Sequence, residues 1–334
     1  MVKALISYKK RNLLVDLIRF SLCCFIMLFH YLYKYGEIYE TAILFPISDV
    51  TFAVSIFFVI SGFYLSYRGF VATGKSKIIS IYLPYVFCLI IIFLFLYIFQ
   101  RLNGLSVGDL AGNVLIIPLL INKVNYVDGA HWYMVVLLMF YAFYLVINLF
   151  SSLFKKKREF VLLVCFLLVF IMSFSFSFTT SNQIIFRLLR TLFNSNYIFI
   201  CFGFFLKLFF EKKTKSSFAI CVLSFCCLCI FFVSKIDRVG LILFLLCLSL
   251  FIYAVFRKTE SKHSFFVALL GESSFFIYLL HQKIGYVFIE LFENNYHSRF
   301  LGTALSICFS IAIGIGLLLL WNIAKKRLFD NERK

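Results

Sequence analysis

Arg11 to Tyr33 reads RNLLVDLIRFSLCCFIMLFHYLY. The run is apolar over most of its length and long enough to cross a bilayer, which takes ~20 helical residues. It nevertheless carries Arg19 and His30. An ionisable side chain in a spanning helix costs ~2.5–3.5 kcal/mol on insertion scales, so such residues usually face a protein interior or a wet cavity. Eleven steps of ~100° bring His30 back to within ~20° of Arg19, and at ~1.5 Å per residue the two lie ~16 Å apart on one stripe. Taken alone, the helix admits two readings. Either the stripe lines an internal polar site, or Arg19 snorkels to the inner headgroups and His30 sits at the outer surface.

The rest of the chain decides the class. Of 334 residues, 63% are hydrophobic and 20% aromatic, with a mean hydropathy of +0.99. A soluble domain is only ~45–50% apolar, so no soluble core could hide this much. About ten spans follow from length and apolarity. They are Leu13–Tyr33, Ile47–Tyr67, Ile78–Phe99, His131–Phe150, Phe160–Phe178, Leu192–Phe210, Phe218–Ser234, Val239–Phe256, Ser273–Leu291 and Phe300–Ile323. The expected fold is an all-α polytopic membrane protein, a single domain over 1–334 with no appended soluble domain. Lys9 to Arg11 ahead of an apolar run imitate a signal peptide. The run is too long, holds Arg19 and lacks a small-x-small cleavage site, so it is expected to stay as a span.

A net charge of +18 in a soluble chain would suggest nucleic acid as partner. Here the charge falls in alternate short loops: Lys9-Lys10-Arg11, Arg68 to Lys77, Lys155 to Arg158, Lys212 to Lys215, Arg257 to Lys262, and Lys325-Lys326-Arg327. Cytoplasmic loops are rich in Lys and Arg, so both termini are expected in the cytoplasm, and the expected partners exclude nucleic acid. The eleven cysteines lie mostly in apolar runs and show no zinc spacing. They read as small buried hydrophobes, with neither a disulfide framework nor a metal site expected.

Polar residues recur inside other spans. Ser61-Gly62 fall in Ile56-Phe-Phe-Val-Ile-Ser-Gly-Phe63, where small residues admit either a ligand or a neighbouring helix. Lys75 and Lys77 precede Ile78-Ile-Ser-Ile-Tyr-Leu-Pro84 and serve as donor-binding cations or as ordinary inside-positive charges. Gln100 to Ala130 is the longest loop, expected outside. Its apolar Leu110–Ile121 is too short to span and reads as re-entrant or interfacial. Asp128-Gly-Ala-His131-Trp132-Tyr133 then opens a span at the depth of His30. In the ninth span Tyr278 and His281 share a face, through helix–helix hydrogen bonding or on a cavity wall. Phe160 to Phe256 reads as scaffold, with Arg187 and Arg190 on an outer loop that scaffold alone or an anionic acceptor explains.

These segments together resemble the membrane acyltransferase-3 family, the polytopic bacterial O-acyltransferases that modify polysaccharides, lipopolysaccharides and Nod factors. The resemblance rests on Arg19 and His30 in R-x10-H, on FFVISGF, on the His131-Trp132 entry, and on Gly271-x-x-Ser274-Phe275-x-x-Tyr278-Leu-x-His281. The sequence departs from the family pattern at Ser55, where an Asp is frequent, and at Ser80, where a second basic residue is usual. The resemblance implies transfer of an acyl group, most simply acetyl, from cytoplasmic acetyl-CoA to a hydroxyl of a cell-surface polysaccharide or its lipid-linked precursor. The implied location is the bacterial cytoplasmic (inner) membrane. The implied partners are the acyl-CoA donor, a carbohydrate or glycolipid acceptor and membrane lipids, with no permanently bound cofactor. On this reading His30 is catalytic, as general base or as acyl-accepting nucleophile, and acts with Arg19. Arg19, Ser61, Gly62, Lys75 and Lys77 bind the donor, while His131, Trp132, Tyr278 and His281 bind the acceptor or line the cavity. A non-enzymatic carrier of similar hydropathy, such as a polysaccharide-repeat flippase or small-solute transporter, is the alternative. No internal repeat of the transporter kind is visible in the sequence.

Overall fold

The computed structural model describes residues 12–38, 50–65, 70–118, 124–153, 157–175, 191–235, 238–257, 265–296 and 298–329. Arg187 and Arg190 lie outside the described residues. Within them every regular element is helical and none is a strand. Helix α1 (Leu13–Leu28) continues through a π turn (Phe29–Lys34) to Ile38, and α2 is Thr51–Phe63. Helix α3 (Phe70–Lys77) passes through a second π turn (Ile78–Tyr82) into α4 (Leu83–Ile98). A short α5 (Val107–Val114) precedes α6 (Trp132–Leu153), which is entered through a 3-10 turn at Gly129–His131. There follow α7 (Arg158–Ser175), α8 (Tyr197–Lys212), α9 (Lys215–Lys235), α10 (Arg238–Arg257), α11 (Phe265–Tyr296) and α12 (Arg299–Phe329).

Each expected span coincides with a helix, and the chain is a multi-pass membrane protein. Seven of the helices or helix runs are long and apolar enough to cross a bilayer. The remaining expected spans fall on α2, α7 and α8, of 13, 18 and 16 residues. In the span expected at Ile47–Tyr67, Thr51–Phe63 is the helical part among the described residues 50–65. Most of that helix is buried against protein, so its length need not match the lipid thickness. The span expected at Ser273–Leu291 is one continuous helix from Phe265 to Tyr296. Pro84 does not start the third span. It sits at the beginning of α4, just after the π turn in which Leu83 N–H donates to the Ile78 carbonyl. Proline lacks an N–H and crowds the preceding turn, and the shifted hydrogen-bond register absorbs it without ending the helix.

Helix α1 starts cleanly because the Asn12 side chain accepts from Leu14 and Val15 N–H and donates to the Ala254 carbonyl, tying the start of α1 to the end of α10. Helices α11 and α12 form an antiparallel pair along most of their length, and α1 lies against α11. The α2–α8 contact brings main chain close on both sides. Gly62 of α2 faces the Ile200 backbone and Gly203 of α8 faces the Val59 carbonyl, so that either Cβ would collide with main chain. Close approach of this kind replaces the hydrophobic drive that helices lack within lipid. Around it the many phenylalanines pack edge to face, as in Phe199 with Phe232 at 5.4 Å.

Among its described residues, the apolar stretch expected to be re-entrant contributes the end of α5. That helix opens with a reciprocal cap in which Ser106 Oγ accepts from Asp109 N–H while Asp109 Oδ2 accepts from Ser106 N–H at 2.9 Å. Asp109 also accepts from Asn125 N–H at 2.7 Å, and the Asn113 amide donates to the Asn125 carbonyl. The long loop is thus pinned to itself beside the entry to α6.

Candidate active site

One cavity of about 340 Å³ opens among α1, α2, the second π turn, α4, α6, α11 and α12. Its polar lining includes Arg19, Ser61, Lys77, Glu272, Tyr278 and Lys325. Arg19 of α1 and Lys325 near the end of α12 line it together, so the start of α1 and the end of α12 lie close to each other. Arg19 is partly exposed, with a guanidinium nitrogen 3.9 Å from Asp16 Oδ1. Lys77 Nζ lies 4.4 Å from the Tyr141 ring centre, a cation–π contact that holds the ammonium on the cavity wall. Ser61 Oγ and the Tyr133 hydroxyl are hydrogen-bonded at 3.2 Å.

The inner end of the cavity is aromatic. The rings of Tyr133 and Tyr278 meet edge to face at 5.3 Å, with Phe57 beside both. The Tyr278 hydroxyl donates to the Ala130 carbonyl at 2.8 Å, which fixes α11 against the entry to α6. One turn further along α11, the His281 ring lies 5.6 Å from Tyr278 and 5.1 Å from His30. His30 itself does not line the cavity. The contact sequence from cavity to His30 runs through Tyr278 and His281.

His281 has a defined tautomer. Its Nδ1 faces the Tyr278 carbonyl at 2.7 Å, and a carbonyl only accepts, so Nδ1 carries the hydrogen in the neutral ring. Nε2 is then a bare acceptor, buried and without a hydrogen-bond partner. The His30 Nδ1 lies 3.4 Å from the Tyr286 hydroxyl. His30 also occupies the π turn of α1, where Tyr35 N–H donates to the His30 carbonyl. Both π turns in the chain touch this region, one carrying His30 and the other Ser80 and Ile81 of the cavity wall. Such turns recur at functional sites because the extra residue re-aims a side chain without ending the helix. The Tyr31 hydroxyl bonds the His281 carbonyl and Ser310 Oγ, each at 2.7 Å, so α1, α11 and α12 are joined beside the histidine pair.

The residues singled out from sequence separate into groups. Arg19, Ser61, Lys77 and Tyr278 meet in the cavity, and His30 and His281 meet beyond it. Gly62 turns away, toward the Ile200 backbone, because that is where the α2–α8 contact needs a missing Cβ. Lys75 is exposed and off the cavity. His131 is fully buried and its Nε2 faces the Leu279 carbonyl at 2.9 Å, a bond between the entry to α6 and α11. Asp128 reinforces the same junction by accepting from Ala130 and Lys283 N–H. Trp132 packs 6.2 Å from Phe58 and does not line the cavity. Sequence reasoning did not select Glu272, Tyr286, Asn322 or Lys325 as site residues. The signal at Asn322 was a polar side chain within an apolar span; Lys325 was hidden among the other basic residues of its cluster.

All eleven cysteines are free, and no metal-binding cluster of His, Cys, Asp and Glu occurs among the described residues. The fold and site define a multi-pass helical membrane protein with a polar chamber inside its bundle. The family model for the acyltransferase domain Acyl_transf_3 matches residues 12–319, so the chain belongs to that family and is a membrane acyltransferase. No curated protein and no solved structure matches it.

Proposed function

We propose that this acyltransferase moves an acetyl group from cytoplasmic acetyl-CoA to a hydroxyl of a cell-surface polysaccharide or its lipid-linked precursor in the bacterial inner membrane. The observation that carries the reading is the arrangement along α1: Arg19 on a cation-lined cavity and, ~16 Å further along the helix, His30 beside His281. That separation is on the scale of the pantetheine arm. An anionic nucleotide held at the cavity mouth would point its thioester along the helix toward the histidines. Lys77 and Lys325 of the cavity wall belong to two of the basic clusters that the sequence assigns to the cytoplasmic side, and this favours entry from the cytoplasm.

The chemistry follows from His30. With Nδ1 turned to the Tyr286 hydroxyl, Nε2 is the nitrogen left to take the proton of the acceptor hydroxyl. The acceptor oxygen bonds the thioester carbonyl carbon, the carbon–sulfur bond breaks, and the proton passes to the departing CoA thiolate. The Tyr133–Tyr278 contact stands between cavity and histidines, so the arm reaches His30 when those rings part.

The test is transfer of radiolabelled acetyl from acetyl-CoA into the glycan fraction of isolated membranes. Wild-type membranes are expected to label, and His30→Ala membranes holding equal amounts of protein are expected to lose about 10²–10⁴-fold in rate. Near-normal labelling by His30→Ala would remove the assignment of His30. No labelling by the wild type from acetyl-CoA would remove the donor.

A further inference from the structure

We propose that Asn322 and Lys325 of α12 form part of the donor site, gripping the phosphate-bearing end of the acyl-CoA together with Arg19 and Lys77. The proposal rests on the acyl-CoA reading above and adds to it a recognition surface on the last helix. Asn322 and Lys325 are three residues apart and so share one face of α12, and both line the cavity, with Leu318 and Trp321 forming the apolar wall beside them. The Asn322 Nδ2 is buried and has no hydrogen-bond partner, an arrangement that costs stability unless a ligand accepts from it. A donor amide and an ammonium one turn apart match a phosphate ester, which only accepts.

The opposite wall explains why α12 is needed. Ser80 lines the cavity from the second π turn but brings no charge, and its hydroxyl is spent on the Ser76 carbonyl at 2.7 Å. Lys77 is therefore the cation that this segment offers to the cavity, and Lys325 supplies another from across the mouth. The site then sets Arg19, Lys77 and Lys325 against two carboxylates, Glu272 on the wall and Asp16 at 3.9 Å from Arg19. That excess of positive charge, drawn from the first, third and last spans, suits an anion. Phosphate esters are found both on the coenzyme and on lipid headgroups, so the test must separate the two.

The experiment measures binding of CoA and of pantetheine, which lacks the nucleotide phosphates, to the purified full-length protein in phosphatidylcholine nanodiscs. Lys325→Gln is expected to weaken CoA binding about tenfold while leaving pantetheine binding unchanged, the loss of one charge-assisted hydrogen bond. Lys325→Arg is expected to restore CoA binding, and Asn322→Leu to weaken it in the same selective way. Equal affinity of Lys325→Gln and wild type for CoA would overturn the proposal, as would a parallel loss of pantetheine binding, which marks a structural defect. Displacement of CoA by added phosphatidylglycerol in the wild type, absent in Lys325→Gln, would assign the residue to lipid and likewise overturn it. Failure of the wild type to bind either ligand would instead refute the acyl-CoA reading itself.

Discussion

The Tyr31 hydroxyl lies 2.7 Å from the main-chain carbonyl of His281, one residue along α1 from His30. Tyr31 has no exposed surface, and its ring presses on Gly285, where a Cβ would collide with the phenol. The bond sets the spacing between the two helices that carry the histidine pair. Tyr31→Phe keeps the ring but leaves the His281 carbonyl short of a donor and takes a partner from Ser310. The expected cost is ~1–3 kcal/mol of stability. Transfer should slow at saturating donor, because the His30–His281 geometry loosens. Thermal unfolding and acetyl transfer, measured on the same preparation, check both; an unchanged melting temperature would show that the bond does not hold α1 to α11.

On the proposed function, Arg19 at the cavity wall recognises the donor and not the acceptor. Arg19→Ala is expected to raise KM for acetyl-CoA about tenfold, the worth of a charge-assisted contact, with KM for the acceptor near its original value. Steady-state kinetics with each substrate varied in turn decide this. A rise confined to the acceptor would place Arg19 on the wrong substrate.

Gly62 and Gly203 are expected to act on stability and not on donor binding. Each closes the α2–α8 contact against main chain, which cannot move aside as a side-chain tip can. Gly62→Leu or Gly203→Leu should lower stability by ~1–3 kcal/mol or more through overpacking. Detergent-solubilised protein followed by thermal aggregation gives the readout. A Gly62→Leu protein with wild-type stability but impaired CoA binding would return Gly62 to the donor site.

Asp109 makes the loop before α6 sensitive to acid. The Ser106 hydroxyl, with the Asn125 and Ser106 N–H groups, holds its carboxyl below the ordinary value of 3.8. Because the folded value is the lower one, the stabilisation is complete above the unfolded value and fades as pH falls through the folded value. Asp109→Asn should therefore melt below wild type near about pH 7, with the gap closing once wild-type Asp109 is itself protonated. A gap independent of pH would mean that shape, and not charge, is what Asp109 contributes.

How far the sequence reached can be seen residue by residue. Arg19 is a cation inside an apolar span, which a hydropathy reading flags, whereas Lys77 stood among ordinary inside-positive charges; both line the cavity. His131 carries the same signal, yet it serves the Leu279 carbonyl, because a polar side chain in a bundle is satisfied as well by backbone as by substrate. Ser61 and Gly62 are neighbours in sequence and point to different partners, one to Tyr133 and the other to Ile200, because successive helical residues turn by ~100°. No local pattern tells which of two small residues meets a ligand and which meets a helix.

What the sequence by itself determined was the material and the period: an all-helical membrane protein, the places of its spans, and the stripe shared by Arg19 and His30. These follow from local quantities, apolar run length and the turn per residue. The tertiary structure alone decided that Asn322 and Lys325, some 300 residues from Arg19, close the same cavity, and that His281 stands beside His30 with an open nitrogen. Those depend on which helix packs against which, and that choice is made by contacts such as Tyr31 on α11 and Gly62 on α8, between residues distant along the chain.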